Sequence, residues 1–297
     1  MSSSRCGFSR DCSWANYSLA AVNTSAAMWD PFNATLLDLF RLRQQEASAA
    51  CAGSTRTNMA RGGYCLHDTR PPNIVSLTGG RTYRSAREYP YRADATIVRQ
   101  LELLLRRENG EHLSLNDFGA GVGEYGHALQ SLYTHRVRWR GYDGAGNVED
   151  FTGGFVRWFD LSIPLALARA DWVMCLEVGE HIPHEHEHTV MRNLHAHNRC
   201  GIVLSWATLN QQGISHVNNH RNAYLVGKLS ALGYSLNRNR TLAFRFGPSV
   251  KSLVAYPWFR RTLLVFDRIN PPPLCREAGR PIAQRLHAKA MALPLHI

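Results

Sequence analysis

No stretch of this chain approaches the roughly 18 consecutive apolar residues that a membrane-crossing helix needs, and Met1 to Asn23 has no apolar core of the signal-peptide kind. Those two absences predict a protein with no membrane span. The seven cysteines are odd in number and include no CxxC pair. This argues against a zinc ribbon or a disulfide framework and for a reducing, cytoplasmic setting. Asn-x-Ser/Thr triplets at Asn16, Asn23, Asn33 and Asn239 carry no weight without secretion. Runs of like charge are missing too. The 34 basic and 23 acidic residues give a net charge of +11, but the positive residues are mostly dispersed arginines, densest at Arg106-Arg107 and Arg260-Arg261. Such a balance attracts phosphates, acidic surfaces or nucleic acid without identifying any of them. Repeats and low-complexity tracts are absent.

What is present has the composition of a globular protein, with 44% hydrophobic residues over a length of 297. Residues 1–92 read as an irregular extension holding one helix, about 31–46, where Leu36, Leu37, Leu39, Phe40 and Leu42 recur at near-helical spacing. Turns are expected at Gly62-Gly63-Tyr64 and Pro71-Pro72. From residue 93 to about 270 the pattern alternates. Helices are predicted at 97–110, 125–133, 185–197 and 221–232, and strands at 113–118, 137–142, 155–159, 172–176, 202–206, 242–246 and 263–266. Alternation of this kind predicts an α/β domain, doubly wound, with a mostly parallel seven-stranded sheet and helices on both faces. Residues 271–297 form a C-terminal tail.

The strand ending at Asp117 runs into Gly119, Gly121 and Gly123 and then a helix. Such a turn brings backbone N–H groups to a ligand, because glycine permits the positive φ and close approach that a Cβ blocks. Gly121-x-Gly123-x-x-Gly126, with Asp143 about 20 residues on, also satisfies the dinucleotide fingerprint. The glycines alone do not choose between ligands. Their flanks do: Asp117 would repel a pyrophosphate but pair with an ammonium, and Asp143 and Asp160 end the next two strands. Three acids at successive strand ends suit a ligand with an amino-acid tail, a ribose and an adenine.

The run Asp117-Phe118-Gly119-Ala120-Gly121-Val122-Gly123-Glu124-Tyr125-Gly126 resembles the glycine-rich motif of the class I S-adenosylmethionine-dependent methyltransferase family, and the resemblance extends over about 93–267. It implies S-adenosyl-L-methionine as cofactor. By the same resemblance Asp117, Gly119, Ala120, Gly121 and Gly123 surround the methionine part, Asp143 and Gly144 the ribose, Asp160 and Leu161 the adenine, and Glu177 touches the cofactor from the next strand.

Glu177, Glu180 and His181 follow that fourth apolar strand within five residues. Two carboxylates and an imidazole so close suit Mg2+ or Mn2+, and Gly179 is the expected site of the sharp turn. The Glu-x-x-Glu-His spacing is similar to that of small-RNA 3′-end 2′-O-methyltransferases and of ubiquinone-pathway O-methyltransferases. The former add a downstream histidine, a role that falls to His216, with His220 in reserve. His181, His216 and Glu180 are therefore the candidate catalytic residues. Glu177, Glu180, His181 and His216 are the candidate metal ligands. Trp206, Asn210 and Gln211 are expected beside His216 in the acceptor pocket. His184-Glu185-x-x-His188 matches the zinc-protease spacing, but Pro183 places His184 in a first turn among polar residues, so a solvated helix start is expected instead.

Together these residues predict a methyltransferase acting on an oxygen or nitrogen of a small-molecule acceptor, with RNA as the second acceptor class. The rival classes are an NAD-dependent oxidoreductase and a catalytically silent methyltransferase-like binding module.

Overall fold

The computed structural model describes residues 34–52, 65–66, 93–107, 109–132, 137–164, 166–213, 215–247 and 256–276. The expected turns at Gly62-Gly63-Tyr64 and Pro71-Pro72, and the stretch 277–297, lie outside them.

Seven strands form one sheet: β1 (Leu115–Phe118), β2 (Trp139–Asp143), β3 (Val156–Trp158), β4 (Trp172–Leu176), β5 (Gly201–Ser205), β6 (Tyr234–Leu236) and β7 (Leu264–Arg268). Their order is β3-β2-β1-β4-β5-β7-β6, and β7 alone runs antiparallel to its neighbours. The strands read as near-continuous apolar runs because both faces are covered. Along β4, Trp172 and Met174 enter one core with Leu101, Leu115 and Val203, whereas Val173 and Cys175 enter the other with Phe118, Ile202 and Phe266. The chain leaves β1 for one side of the sheet and returns as β4 on the other. That reversal opens a crevice at the carboxyl ends of β1 and β4, where open α/β sheets take their ligands.

The helices are α1 (Ala34–Ala52), α2 (Ala95–Leu105), α3 (Glu124–Leu132), α4 (Val148–Thr152), α5 (Glu187–Ala196), α6 (Asn222–Ala231), α7 (Arg238–Phe246), α8 (Phe259–Thr262) and α9 (Pro273–Arg276). Asp94 starts α2 by accepting from the N–H groups of Thr96 (2.9 Å) and Ile97 (3.1 Å). The helix then buries Ile97, Leu101, Leu104 and Leu105 completely, each contributing roughly 1.5–3 kcal/mol. None of the helices is long and apolar enough to cross a membrane, among the described residues.

Three expectations are corrected. Residues 242–246 lie in α7, not in a strand. Asn237 caps that helix through the Arg240 N–H (2.9 Å), and Thr241 to Arg245 are all buried. A helix buried almost all round loses its one-sided period, so its core reads like a short strand. The seventh strand is instead β6, three residues long and too short to show a pattern.

The third correction concerns cysteine. Cys51 pairs with Cys65, and Cys200 with Cys275. The cysteine argument for a reducing compartment loses its premise, because partners 14 and 75 residues apart form no local motif and only the fold brings them together. Cys175 is free and buried, and Cys6 and Cys12 lie outside the described residues.

The helix of the N-terminal extension packs on the sheet domain. Phe40 meets Trp158 edge-on at 4.9 Å between centroids, and Leu36 is buried among Tyr142 and Phe159. Leu66 and Asn147 exchange hydrogen bonds, the Leu66 N–H donating to Asn147 Oδ1 at 2.8 Å.

Candidate active site

Four amides of the glycine turn are bonded within the protein. Gly119 and Ala120 both donate their N–H to the Tyr142 carbonyl (2.8 and 3.0 Å), Gly121 donates to Asp143 Oδ2 (2.8 Å), and Gly123 donates to the Ala120 carbonyl (2.8 Å). Those four amides are held in place before any ligand arrives. The reason is that a parallel β1–β2 pair lets the turn continue the ladder past the end of β1. Gly119 (φ 77°) has no room for a side chain, since a Cβ would lie 2.1 Å from Val178 Cγ2. Gly121 (φ 57°) is open, and a Cβ there would meet only the Glu124 carboxylate, at 3.4 Å.

Acids gather beside this turn. Asp117 is buried and accepts from Trp139 Nε1 at 3.2 Å. Burial raises its pKa well above the carboxylate range. The Trp139 hydrogen bond lowers it, and Glu124 and Asp143 add repulsion. Glu124, the first residue of α3, is pushed up to about 7, chiefly by burial and further by Asp143. Sequence reasoning passed over Glu124, although an acid directly after the glycine motif was visible as a signal. Asp143 is buried, with Oδ1 accepting from the Ala145 N–H (2.8 Å) and Oδ2 from the Gly121 N–H.

Beyond β2, Gly144 leaves space, since a Cβ there would meet only the Phe159 carbonyl, at 3.8 Å. Asp160 is half-buried and accepts from the Ser162 N–H at 2.8 Å, and Leu161 is buried. Both stand at the carboxyl edge next to Asp143, since the Phe159 N–H donates to the Asp143 carbonyl at 3.0 Å.

The second half of the site follows β4. Glu177 has φ 55°, a left-handed conformation uncommon outside glycine and enriched at functional sites. The sharp turn is therefore made at Glu177. Gly179 is needed for a different reason, because a Cβ there would lie 2.1 Å from the Trp206 ring. The Glu177 carboxylate accepts from Thr262 Oγ1 (3.2 Å) and from Gln211 Nε2, and its N–H donates to Ser205 Oγ (2.9 Å). Thr262 lies 85 residues away, and nothing in the sequence connects the two.

Glu180, in a single 3-10 turn (Gly179–His181), is completely buried. Neither of its carboxylate oxygens closes a well-aligned hydrogen bond; the nearest donors are the backbone N–H groups of Glu180 itself and Ala207. Burial and then the Glu177 carboxylate raise its pKa well above the usual range. Burial also raises that of Glu177, against hydrogen bonds from Ser205, Gln211 and Thr262. Ligand atoms of Glu180, His181 and His216 lie within 4.8 Å of one another, and the two imidazoles meet edge-on at 4.9 Å between centroids. Glu177 is not in that group. His216 is held by its Nδ1 against the Gln211 carbonyl (3.1 Å).

The loop after β5 departs from expectation in one respect. Trp206 is fully buried, its Nε1 donates to the Asn218 carbonyl at 2.5 Å, and it packs on Gly179, so it supports the floor of the site and does not line a pocket. Asn210 is exposed, and Gln211 holds Glu177. The zinc-protease spacing is broken, because His184 lies in a 3-10 turn (His184–His186) and α5 begins only at Glu187. His184, Glu185 and His188 are exposed, but Glu187 is buried, so this helix start is not wholly solvated.

In fold the chain is similar to solved class I methyltransferases. One is the magnesium protoporphyrin IX methyltransferase of Synechocystis with bound SAM, at 19% identity and TM-score 0.36 over 53% of this chain and 71% of that one. An O-methyltransferase family protein from Burkholderia thailandensis matches at 13% identity and TM-score 0.42 over 59% of this chain and 55% of that one. The 1,6-didemethyltoxoflavin-N1-methyltransferase of the same organism, with bound 1,6-didemethyltoxoflavin and S-adenosylhomocysteine, matches at 16% identity and TM-score 0.37 over 59% of this chain and 79% of that one. No protein-family model matches the chain, and no curated protein is similar to it.

Proposed function

We propose that this chain is an S-adenosylmethionine-dependent methyltransferase acting on an oxygen or nitrogen of a small-molecule acceptor. The observation that carries the reading is at the glycine turn: the N–H groups of Gly119, Ala120, Gly121 and Gly123 are bonded within the protein, and the carboxylates of Asp117, Glu124 and Asp143 gather beside it. An anion such as a pyrophosphate is repelled there, whereas an ammonium beside a sulfonium is attracted. Gly121, with no side chain, leaves room for the methionine part.

When bound, the cofactor supplies an electrophilic methyl group. Asp117 and Glu124 hold the ammonium, Asp143 accepts from the ribose hydroxyls, and Asp160 with Leu161 borders the adenine. Such an enzyme gains mostly by positioning and by excluding water, and the buried Trp206 and Gly179 contact keeps the far wall closed. Without a bound ion, His181 or His216 takes the acceptor's proton; with one, the acceptor hydroxyl's pKa is lowered instead.

The donor set of Glu180, His181 and His216, one carboxylate and two imidazoles, fits a divalent transition-metal ion such as Mn2+ or Zn2+. A buried carboxylate without aligned donors, pressed against a second carboxylate, gains most from a positive charge. Such an ion would lend Lewis acidity toward an acceptor oxygen. His216 joins Glu180 and His181 as the small-RNA resemblance implies, although Glu177 stands outside the group, and this keeps the RNA 3′ end as the second acceptor reading.

Calorimetry with S-adenosylhomocysteine and NAD tests the cofactor. Binding of the former alone is expected, and binding of NAD alone overturns the proposal. Labelled methyl transfer to small molecules against a short RNA, with chelator and with added Mn2+, then separates the two acceptor classes.

A further inference from the structure

A second cluster of metal-ligating side chains lies outside the residues used above. Glu187 Oε2 is its centre: His220 Nε2 stands 2.6 Å away, His184 Nδ1 3.1 Å and Asn218 Nδ2 3.3 Å. The other oxygen, Oε1, accepts from the Tyr224 hydroxyl at 2.6 Å. Ligand atoms of His184, Glu187 and His220 all fall within 4.8 Å of one another.

We propose that His184, Glu187 and His220 form a zinc-type divalent-cation site that braces the loop carrying His216. Two imidazoles and one carboxylate are the donor set of an open zinc site, in which ligand atoms at about 2.0–2.2 Å from the ion stand about 3.3 Å apart. His184 Nδ1, at 3.1 Å from Glu187 Oε2, is close to that, whereas the 2.6 Å from His220 Nε2 to the same oxygen is a direct hydrogen bond that an ion would replace by entering between them. Two of the three ligands are already oriented. The His220 ring stacks on Tyr224 at 4.0 Å between centroids, its backbone N–H is tied to the Ala207 carbonyl at 3.0 Å, and the Tyr224 hydroxyl fixes the carboxylate from outside, as outer-shell partners of metal ligands do. The third, His184, is 70% exposed on its short turn, which gives an ion a way in and leaves the remaining position to water.

Asn218 links this cluster to the active-site loop. Its backbone N–H donates to the Glu180 carbonyl at 3.0 Å, and its side chain reaches Glu187. An ion held between His184 and His220 therefore ties the C-terminal end of the loop carrying His216 to the turn that follows Glu180. The cation site itself stands independently of methyl transfer; only the bracing of a catalytic His216 rests on the reading above.

The test uses full-length protein freed of metal by chelator, carrying Glu180→Gln and His216→Ala to silence the first cluster, and titrated with Co2+ and then Zn2+. One equivalent of Co2+ with the strong visible absorption of tetrahedral coordination is expected, displaced by one equivalent of Zn2+, and at least tenfold weaker when His184→Ala is added. His184 is exposed, so its removal leaves the fold intact, as circular dichroism will check. Absence of the Co2+ band in that background, or Zn2+ affinity unchanged by His184→Ala, overturns the proposal. Should the background variant not fold, His184→Ala in the otherwise unaltered chain is expected to lower bound Zn2+ by one equivalent, and an unchanged stoichiometry overturns the site.

Discussion

The backbone N–H of Gly121 donates to the carboxylate of Asp143 at 2.8 Å, so the glycine turn after β1 is tied to the end of β2 by an acid 22 residues further along the chain. Asp143 thereby serves the turn before it serves any ligand. Asp143→Ala leaves the Gly121 and Ala145 amides without their charged acceptor, at a cost of roughly 1.5–3 kcal/mol. Chemical denaturation will show this as a lower midpoint. Affinity for S-adenosylhomocysteine should fall about tenfold to a hundredfold. Unchanged stability would mean that the tie is dispensable.

Glu124 makes cofactor affinity depend on pH. With its pKa pushed up to about 7, the carboxyl is neutral below that value and charged above it. A cationic ligand pairs only with the charged form, so affinity should rise as pH increases through about 7, and Glu124→Gln should flatten the profile. Folding has the opposite slope. A folded pKa above the unfolded one means that the native state holds a proton that the unfolded state has lost, so apo stability decreases from about pH 4.5 to about 7. Tm of the free protein across that range, with and without Glu124→Gln, checks the sign.

Glu180 should respond to substitution in two opposed ways. Its burial next to Glu177 raises its pKa, which makes the ionised form a burden on the fold. Glu180→Gln should raise the apo Tm, by roughly 2–4 °C for each kcal/mol relieved, and remove the Tm increase expected when Mn2+ is added to the unaltered protein. A lower Tm without metal would show that the carboxylate is satisfied in a way the geometry does not reveal.

The two disulfides should contribute unequally to stability and locally to the site. Closing 14 residues, Cys51–Cys65 is worth about 3 kcal/mol, and Cys200–Cys275, closing 75, somewhat over 4 kcal/mol on the chain-entropy account. Cys51→Ser should loosen α1, whose Ala47 and Cys51 press on Gly146, and speed proteolysis of the N-terminal extension. Cys275→Ser should lower the global Tm without that effect. Equal proteolysis in both variants would refute the local role of the first bond.

The strands β1 to β5 and the glycine turn were legible because a parallel sheet covered on both faces demands apolar runs ending in polar residues, and Leu113 to Phe118 and Trp172 to Leu176 are of that kind. The order of Asp117, Asp143, Asp160 and Glu177 along the chain likewise fixed which strand end each would occupy. Tertiary structure alone decided the rest. It spent the amides of Gly119 and Gly121 on Tyr142 and Asp143, because those partners meet only when β1 and β2 pair. Only packing could turn 242–246 into a helix, bring Thr262 to Glu177 and Cys275 to Cys200, and choose His216 for Glu180 and His220 for Glu187. Local pattern records which face of an element is apolar, whereas contacts between residues tens of positions apart exist only after the sheet has assembled.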